Sequence, residues 1–171
     1  RSGSMRAGVF SGDALAPDAE LLDRVREQPS MKGQNLIGEV STTESYTIEP
    51  EGEVRFTVVA VDLGIKTNTP RMFAERGMRV HVVPSTITLD EVRSFNPDGF
   101  FLSNGPGDPA ATGEYAVPMI QDLLDRDLPI FGICLGHQML ALALGARTVK
   151  MSHGHHGANQ PVRDKETGKV E

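Results

Sequence analysis

The sequence predicts an α/β domain built on a parallel sheet with helices on both faces, and three observations carry that prediction. The run Phe56-Thr57-Val58-Val59-Ala60-Val61 lacks polar alternation, as expected of a strand covered on both sides. Short apolar runs of this kind then alternate with amphipathic segments, giving strand–helix units in succession, the pattern of a parallel sheet with right-handed crossovers. Finally, residues 129–133 form an apolar strand that runs directly into Cys134, with a helical segment just beyond.

Taken in order, residues 17–28 read as a helix with Leu21, Leu22 and Val25 on one side. Residues 40–52 are rich in Ser, Thr and Glu and contain Pro50-Glu51-Gly52, which suits an interdomain connection and puts a domain boundary near residue 53. After the strand at 56–61 come a helix at 69–76 ended by Gly77, a strand at 79–83, a helix at 89–95 and a strand at 99–102. A helix at 115–126, the strand at 129–133 and a helix at 136–144 stopped by Gly145 complete the series. In such sheets the chemistry sits beyond the carboxyl ends of the strands.

Composition narrows the function classes. A net charge of −6, with 23 acidic against 17 basic residues, gives no electrostatic footprint for nucleic acid or an anionic membrane. No apolar stretch approaches the roughly 20 residues that span a bilayer, and no secretory signal opens the chain, so the expected location is the cytoplasm. The single cysteine rules out an internal disulfide and a cysteine-only zinc site, leaving Cys134 as a buried hydrophobe or a reactive thiol.

Its neighbours favour reactivity. Gly132-Ile133-Cys134-Leu135-Gly136 places the thiol between two glycines where a strand passes into a helix, the cysteine counterpart of the Gly-x-Ser-x-Gly elbow. Such a corner strains the backbone of the nucleophile and leaves no room for side chains two residues to either side. The positive end of the helix favours thiolate, and the Leu135 N–H is free to meet a developing oxyanion. A second turn, Ser103-Asn104-Gly105-Pro106-Gly107-Asp108-Pro109, follows the preceding strand at the same sheet edge, where an N–H of Gly105 or Gly107 can complete an oxyanion hole.

Three segments give a resemblance: residues 101–109 and 131–138, which hold these two turns, and Gly-His-His-Gly-Ala-Asn-Gln-Pro-Val at 154–162. The sequence resembles the glutaminase subunits of carbamoyl-phosphate synthases, within the class I glutamine amidotransferases. The turns are general to that class; Asp62-Leu63-Gly64-Ile65-Lys66 and the Gly-His-His-Gly stretch narrow the likeness. The resemblance implies an incomplete flavodoxin-like sheet at 54–171, the N-terminal part of the amidotransferase domain, after residues 1–53 as the end of a small N-terminal domain and its linker. It implies Cys134 as the catalytic nucleophile toward L-glutamine, with Gly105, Gly107, Leu135 and Gln138 binding that substrate. It further implies, as partner, a large synthetase subunit, which receives the ammonia and carries the ATP and magnesium, with no cofactor or metal in this chain.

The sequence departs from the family in one respect. A cysteine nucleophile needs an oriented general base; in the family a His and a Glu from a downstream His-Pro-Glu segment serve, and the sequence reaches Glu171 before one. The expectation is a chain truncated at both ends and inactive by itself. His137 is a poor substitute, three positions along the helix from the nucleophile, and His153, His155 and His156 lack metal-ligand spacing and read as a turn or subunit contact. Lys66, Asn68 and Arg71 read as the solvated first turn of a helix. Two alternatives remain open at this point: another class I glutaminase, serving anthranilate or GMP synthesis, and a scaffold that has kept the fold without the chemistry.

Overall fold

Valine-rich strands with side chains buried on both faces place the centre of the sheet, and everything else in the fold follows from covering them. The structure is a computed structural model describing residues 5–125, 128–154 and 160–171. The chain divides into two compact units, one spanning residues 30–148 and the other residues 1–29 with 149–171.

The larger unit holds a sheet ordered β1-β3-β2-β4-β5, with β1 at Tyr46–Ile48, β2 at Phe56–Asp62, β3 at Met78–Pro84, β4 at Gly99–Leu102 and β5 at Ile130–Gly132. The strands β3, β2, β4 and β5 are mutually parallel, while β1 pairs antiparallel with β3, Thr47 opposite His81. Residues on neighbouring pleats take opposite sides. Val59, Val61, Phe100 and Leu102 join the face packed by Val92 of α4 (Leu89–Ser94), Ile120 and Leu123 of α5 (Pro109–Leu124), and Leu135 and Met139 of α6 (Leu135–Ala143). Ala60, Val80, Val82 and Phe101 face the other way, against Phe73 of α3 (Asn68–Ala74). Each fully buried aliphatic side chain contributes roughly 1.5–3 kcal/mol, enough in sum to dock the helices without strong intrinsic propensity. Helices therefore lie on both faces, as the un-alternating runs required.

From β2 the chain turns one way to β3 and the other way to β4 and β5. The loops leaving β2 and β4 touch at the carboxyl edge, and the chain then runs on in opposite directions across the sheet, which makes this edge the topological switch point where open α/β sheets bind ligands.

Three differences from the sequence reading have physical causes. Strand β1 lies inside the stretch read as a connection: as an edge strand it needs one partner only, supplied by backbone pairing with β3, a Thr47–His81 hydrogen bond of 2.8 Å and an Arg79–Glu49 ion pair of 2.9 Å. A short helix α2 at Ile37–Val40 also went unread; only Ile37 in it is buried, so its four residues carry no periodic signal. Helix α5 starts at Pro109 rather than near Tyr115, because the Asp108 carboxylate accepts the Ala110 N–H at 3.0 Å and Pro109 fills the first helical position.

The smaller unit contains α1 (Asp18–Glu27), with no buried residue, held along its exposed surface by Arg24–Glu20 at 2.6 Å and Arg26–Asp23 at 3.0 Å. Its C-terminal part is a narrow antiparallel turn in which Val162 and Glu171 exchange backbone hydrogen bonds. His153 is exposed, with Ser152 Oγ 3.3 Å from its ring, while His155 and His156 lie outside the described residues. No helix among the described residues is long and apolar enough to cross a membrane.

Candidate active site

The corner after β5 is built by exclusion. Cys134 has φ 51° and ψ −112°, a conformation that costs a residue with a Cβ about 1–3 kcal/mol and survives only where its surroundings over-determine it. They do so here. A Cβ on Gly132 would come within 2.6 Å of the Gly136 carbonyl carbon and 2.7 Å of the His137 nitrogen, and one on Gly136 would overlap the Leu102 carbonyl of the adjacent strand. The Ile133 N–H donates to Leu102 O at 3.1 Å and the Gly136 N–H to Ser103 O at 3.0 Å, so the corner is stitched to β4 on both sides of the cysteine.

The thiol itself is exposed, and Leu135, immediately after it, is buried. The first N–H groups of a helix have no intrahelical acceptor, and that of Leu135 makes no hydrogen bond among the described residues. Among those residues no side chain hydrogen-bonds the Cys134 sulfur either. Gln138 is exposed on the same first turn of α6, its N–H donating to Cys134 O at 3.1 Å; His137 beside it is also exposed.

The turn after β4 is built by hydrogen bonds. Ser103, fully buried, accepts the Leu63 N–H at 2.9 Å and donates its hydroxyl to Asn104 O at 2.8 Å. The Asn104 side chain donates to Gly64 O at 2.8 Å. Behind both, the buried Asp62 carboxylate receives the N–H groups of Gly64, Ile65 and Thr42 at 2.7–2.8 Å. Asp108 closes the turn, taking the Gly33 N–H at 2.8 Å while its own N–H donates to Gln34 O at 2.8 Å. Gly107, at φ 108°, occupies backbone space that disfavours a side chain, and a Cβ on Gly105 would overlap the Leu63 carbonyl and lie 3.0 Å from Leu135 Cδ2.

Gly105 and the Cys134 corner are thus neighbours, with Leu135 between them. Cys134, Gly105, Leu135 and Gln138 gather at one sheet edge, and Gly107 lies two residues along the same turn. The sequence did not single out Asp62 and Ser103 as supports. The available signal was a polar residue ending each of two adjacent buried strands, since a polar group there is kept only if its hydrogen bonds are satisfied.

An exposed thiol on a strained strand-to-helix corner, next to a glycine turn whose Gly105 and Gly107 N–H groups meet no acceptor among the described residues, is an arrangement suited to nucleophilic acyl transfer. The family model "Glutamine amidotransferase class-I" matches residues 59–171, and the chain belongs to that family. Among curated relatives it is 58% identical over 168 residues to the carbamoyl phosphate synthase small chain of Mycolicibacterium paratuberculosis, covering 98% of this chain and 45% of the relative. The small chain of Streptomyces coelicolor is 54% identical over 169 residues (99% and 44%), and that of Mycobacterium tuberculosis H37Rv 56% identical over 171 residues (98% and 45%). The chain therefore spans less than half the length of these relatives. The crystal structure of a putative GMP synthase component from Thermoplasma acidophilum aligns with TM-score 0.47 and 27% identity over 63% of this chain and 51% of that one.

Proposed function

We propose that this chain is the cysteine-bearing part of the glutamine-hydrolysing subunit of a carbamoyl-phosphate synthase. The observation that carries the reading is the exposed Cys134 at its positive-φ corner beside the unpaired Leu135 N–H. The names of relatives 52–58% identical across nearly the whole chain give the choice within the family.

In this reading the Cys134 thiolate adds to the carboxamide carbon of glutamine, and the carbonyl electron pair moves onto oxygen. The N–H groups of Leu135 and Gly105 receive that charge in a setting arranged before the reaction starts. Collapse of the adduct expels nitrogen, which leaves as ammonia once protonated, and forms a thioester. Water then adds to the thioester, releasing glutamate and restoring the thiol. Gly107 and Gln138 help hold glutamine, Gln138 offering its amide from the first turn of α6. In this reading an oriented general base takes up and returns these protons, as catalysis by a cysteine nucleophile requires. The ammonia passes to a large synthetase subunit, which holds ATP and magnesium and makes carbamoyl phosphate.

The test is glutamine-dependent carbamoyl phosphate formation by the full-length small chain carrying this segment, combined with the large subunit, ATP and bicarbonate. Formation that is lost in Cys134→Ala while ammonia-dependent synthesis persists is the expected result. Glutamine-dependent synthesis that survives Cys134→Ala, or a glutaminase that supports no carbamoyl phosphate, contradicts the proposal.

A further inference from the structure

We propose that Ser103 is the residue that aims the Gly105 N–H at the reacting oxygen, a positioning role that rests on the amidotransferase reading above. A peptide unit is planar and trans, so its carbonyl and its N–H point to opposite sides. The peptide joining Asn104 to Gly105 therefore has its N–H directed by whatever holds the Asn104 carbonyl. What holds it is the Ser103 hydroxyl, donating at 2.8 Å from a fully buried position.

The hydroxyl cannot easily turn elsewhere. It has one proton to give, and the Leu63 N–H already occupies an acceptor direction at 2.9 Å, which leaves the proton pointed at Asn104 O. The Leu63 contact is buried and the Asn104 contact half-buried, and losing either leaves the fully buried hydroxyl short of a partner, at a cost larger than the bond's net contribution. The same residue accepts the Gly136 N–H through its carbonyl at 3.0 Å, two residues past the nucleophile, and donates its own N–H to Val61 O at 3.2 Å. Ser103 thus joins the glycine turn, the cysteine corner and the end of β2 through four hydrogen bonds. The Gly105 N–H, on the opposite side of the peptide from Asn104 O, meets no acceptor among the described residues. One buried hydroxyl fixes the direction of one oxyanion donor, while the second donor, on Leu135, is fixed by the helix.

Two electrophiles separate this role from general support of the fold. A glutamine-derived chloroketone reacts as the thiolate adds to the ketone, placing charge on oxygen; sulfur then bonds the adjacent CH₂ carbon and expels chloride, its bond to the carbonyl carbon breaks and the oxygen's electron pair re-forms the ketone, leaving a thioether and chloride ion. Iodoacetamide is attacked at its CH₂ carbon with loss of iodide and places no such charge. The ratio of the two Cys134 labelling rates is the readout, and in the unaltered chain it should exceed that for a free thiol. Ser103→Ala should lower the ratio about tenfold, less than the loss of a whole oxyanion donor, with the iodoacetamide rate little changed. A ratio unchanged in Ser103→Ala, or two rates falling together, overturns the positioning role and leaves the amidotransferase reading standing. An unaltered chain with no chloroketone preference removes both. A second measurement needs no variant: on formation of the chloroketone adduct in the unaltered chain, the Gly105 amide proton should move downfield in the NMR spectrum, and an unshifted Gly105 amide overturns the proposal.

Discussion

The two adjacent turns at the carboxyl edge of the sheet are held in opposite ways. The corner from Gly132 to Gly136 is fixed by shape: its glycines leave no room for a Cβ, and Cys134 is forced to positive φ between them. The turn from Ser103 to Asp108 is fixed by polar contacts, with Asp62, Ser103, Asn104 and Asp108 each committing side-chain hydrogen bonds to backbone groups. A shape-locked corner keeps a nucleophile in a strained backbone state. A hydrogen-bonded turn holds its shape while the Gly105 and Gly107 N–H groups stay without an acceptor among the described residues. In the proposed reaction the first solution serves the attacking atom and the second the charge that the attack creates.

That contrast predicts how each turn breaks. The largest effect is expected from Gly136→Ala, whose Cβ would overlap the rigid backbone of β4 at Leu102 and should cost about 3 kcal/mol by overpacking, read from the denaturation midpoint. Gly145→Ala is its control. There φ is +83° but nothing lies within 4 Å of the added carbon, so only the conformational cost of roughly 1–2 kcal/mol should appear. Equal losses at the two positions would show that crowding does not hold the corner.

Asp62→Asn sharpens the other side of the comparison. It keeps the volume but puts an amide NH₂ among three N–H donors and removes the charge they share, for an expected loss of about 2 kcal/mol. The loosening should appear in hydrogen exchange at Gly64, Ile65 and Gly105 before it reaches the Cys134 corner. Simultaneous loosening of both turns would mean they are one device.

The smallest effect lies away from the site, at the β1 edge. Burial, with the nearby Arg79 guanidinium, lowers the pKa of His81 from its ordinary 6.5, against an upward pull from Glu49. The ring stacks on Phe95 at 4.3 Å and shares a hydrogen bond with Thr47. A lowered value means the unfolded chain takes up the proton first. The contribution of His81 to stability is therefore complete above about pH 6.5 and falls as the pH drops through the lowered value in the fold. In His81→Gln that part of the pH dependence should vanish, which paired unfolding curves across the acid range would show.

The same contrast explains what the sequence revealed. Strands β2 and β4 and the elbow carry local signals, namely apolar runs without alternation and paired glycines around a lone cysteine, so they were legible residue by residue. The supports of the glycine turn were not. Asp62 and Ser103 act through partners up to about 40 positions away in the chain, Ser103 on Leu63 for example, and nothing in their immediate neighbours announces those partners. Strand β1 escaped notice for a related reason: three residues at a sheet edge are defined by pairing with β3, which local composition does not encode. The early start of α5 was readable in principle from Asp108-Pro109, an N-cap followed by a favoured first residue, but the same residues also read as a rigid turn.

Modification of Cys134 by a glutamine-derived chloroketone, followed by mass spectrometry and run with and without excess L-glutamine, tests the central claim most directly. Selective labelling of Cys134 that L-glutamine suppresses and D-glutamine does not is the predicted result. Labelling that is indifferent to L-glutamine, no faster than that of an unstructured thiol, would contradict the account.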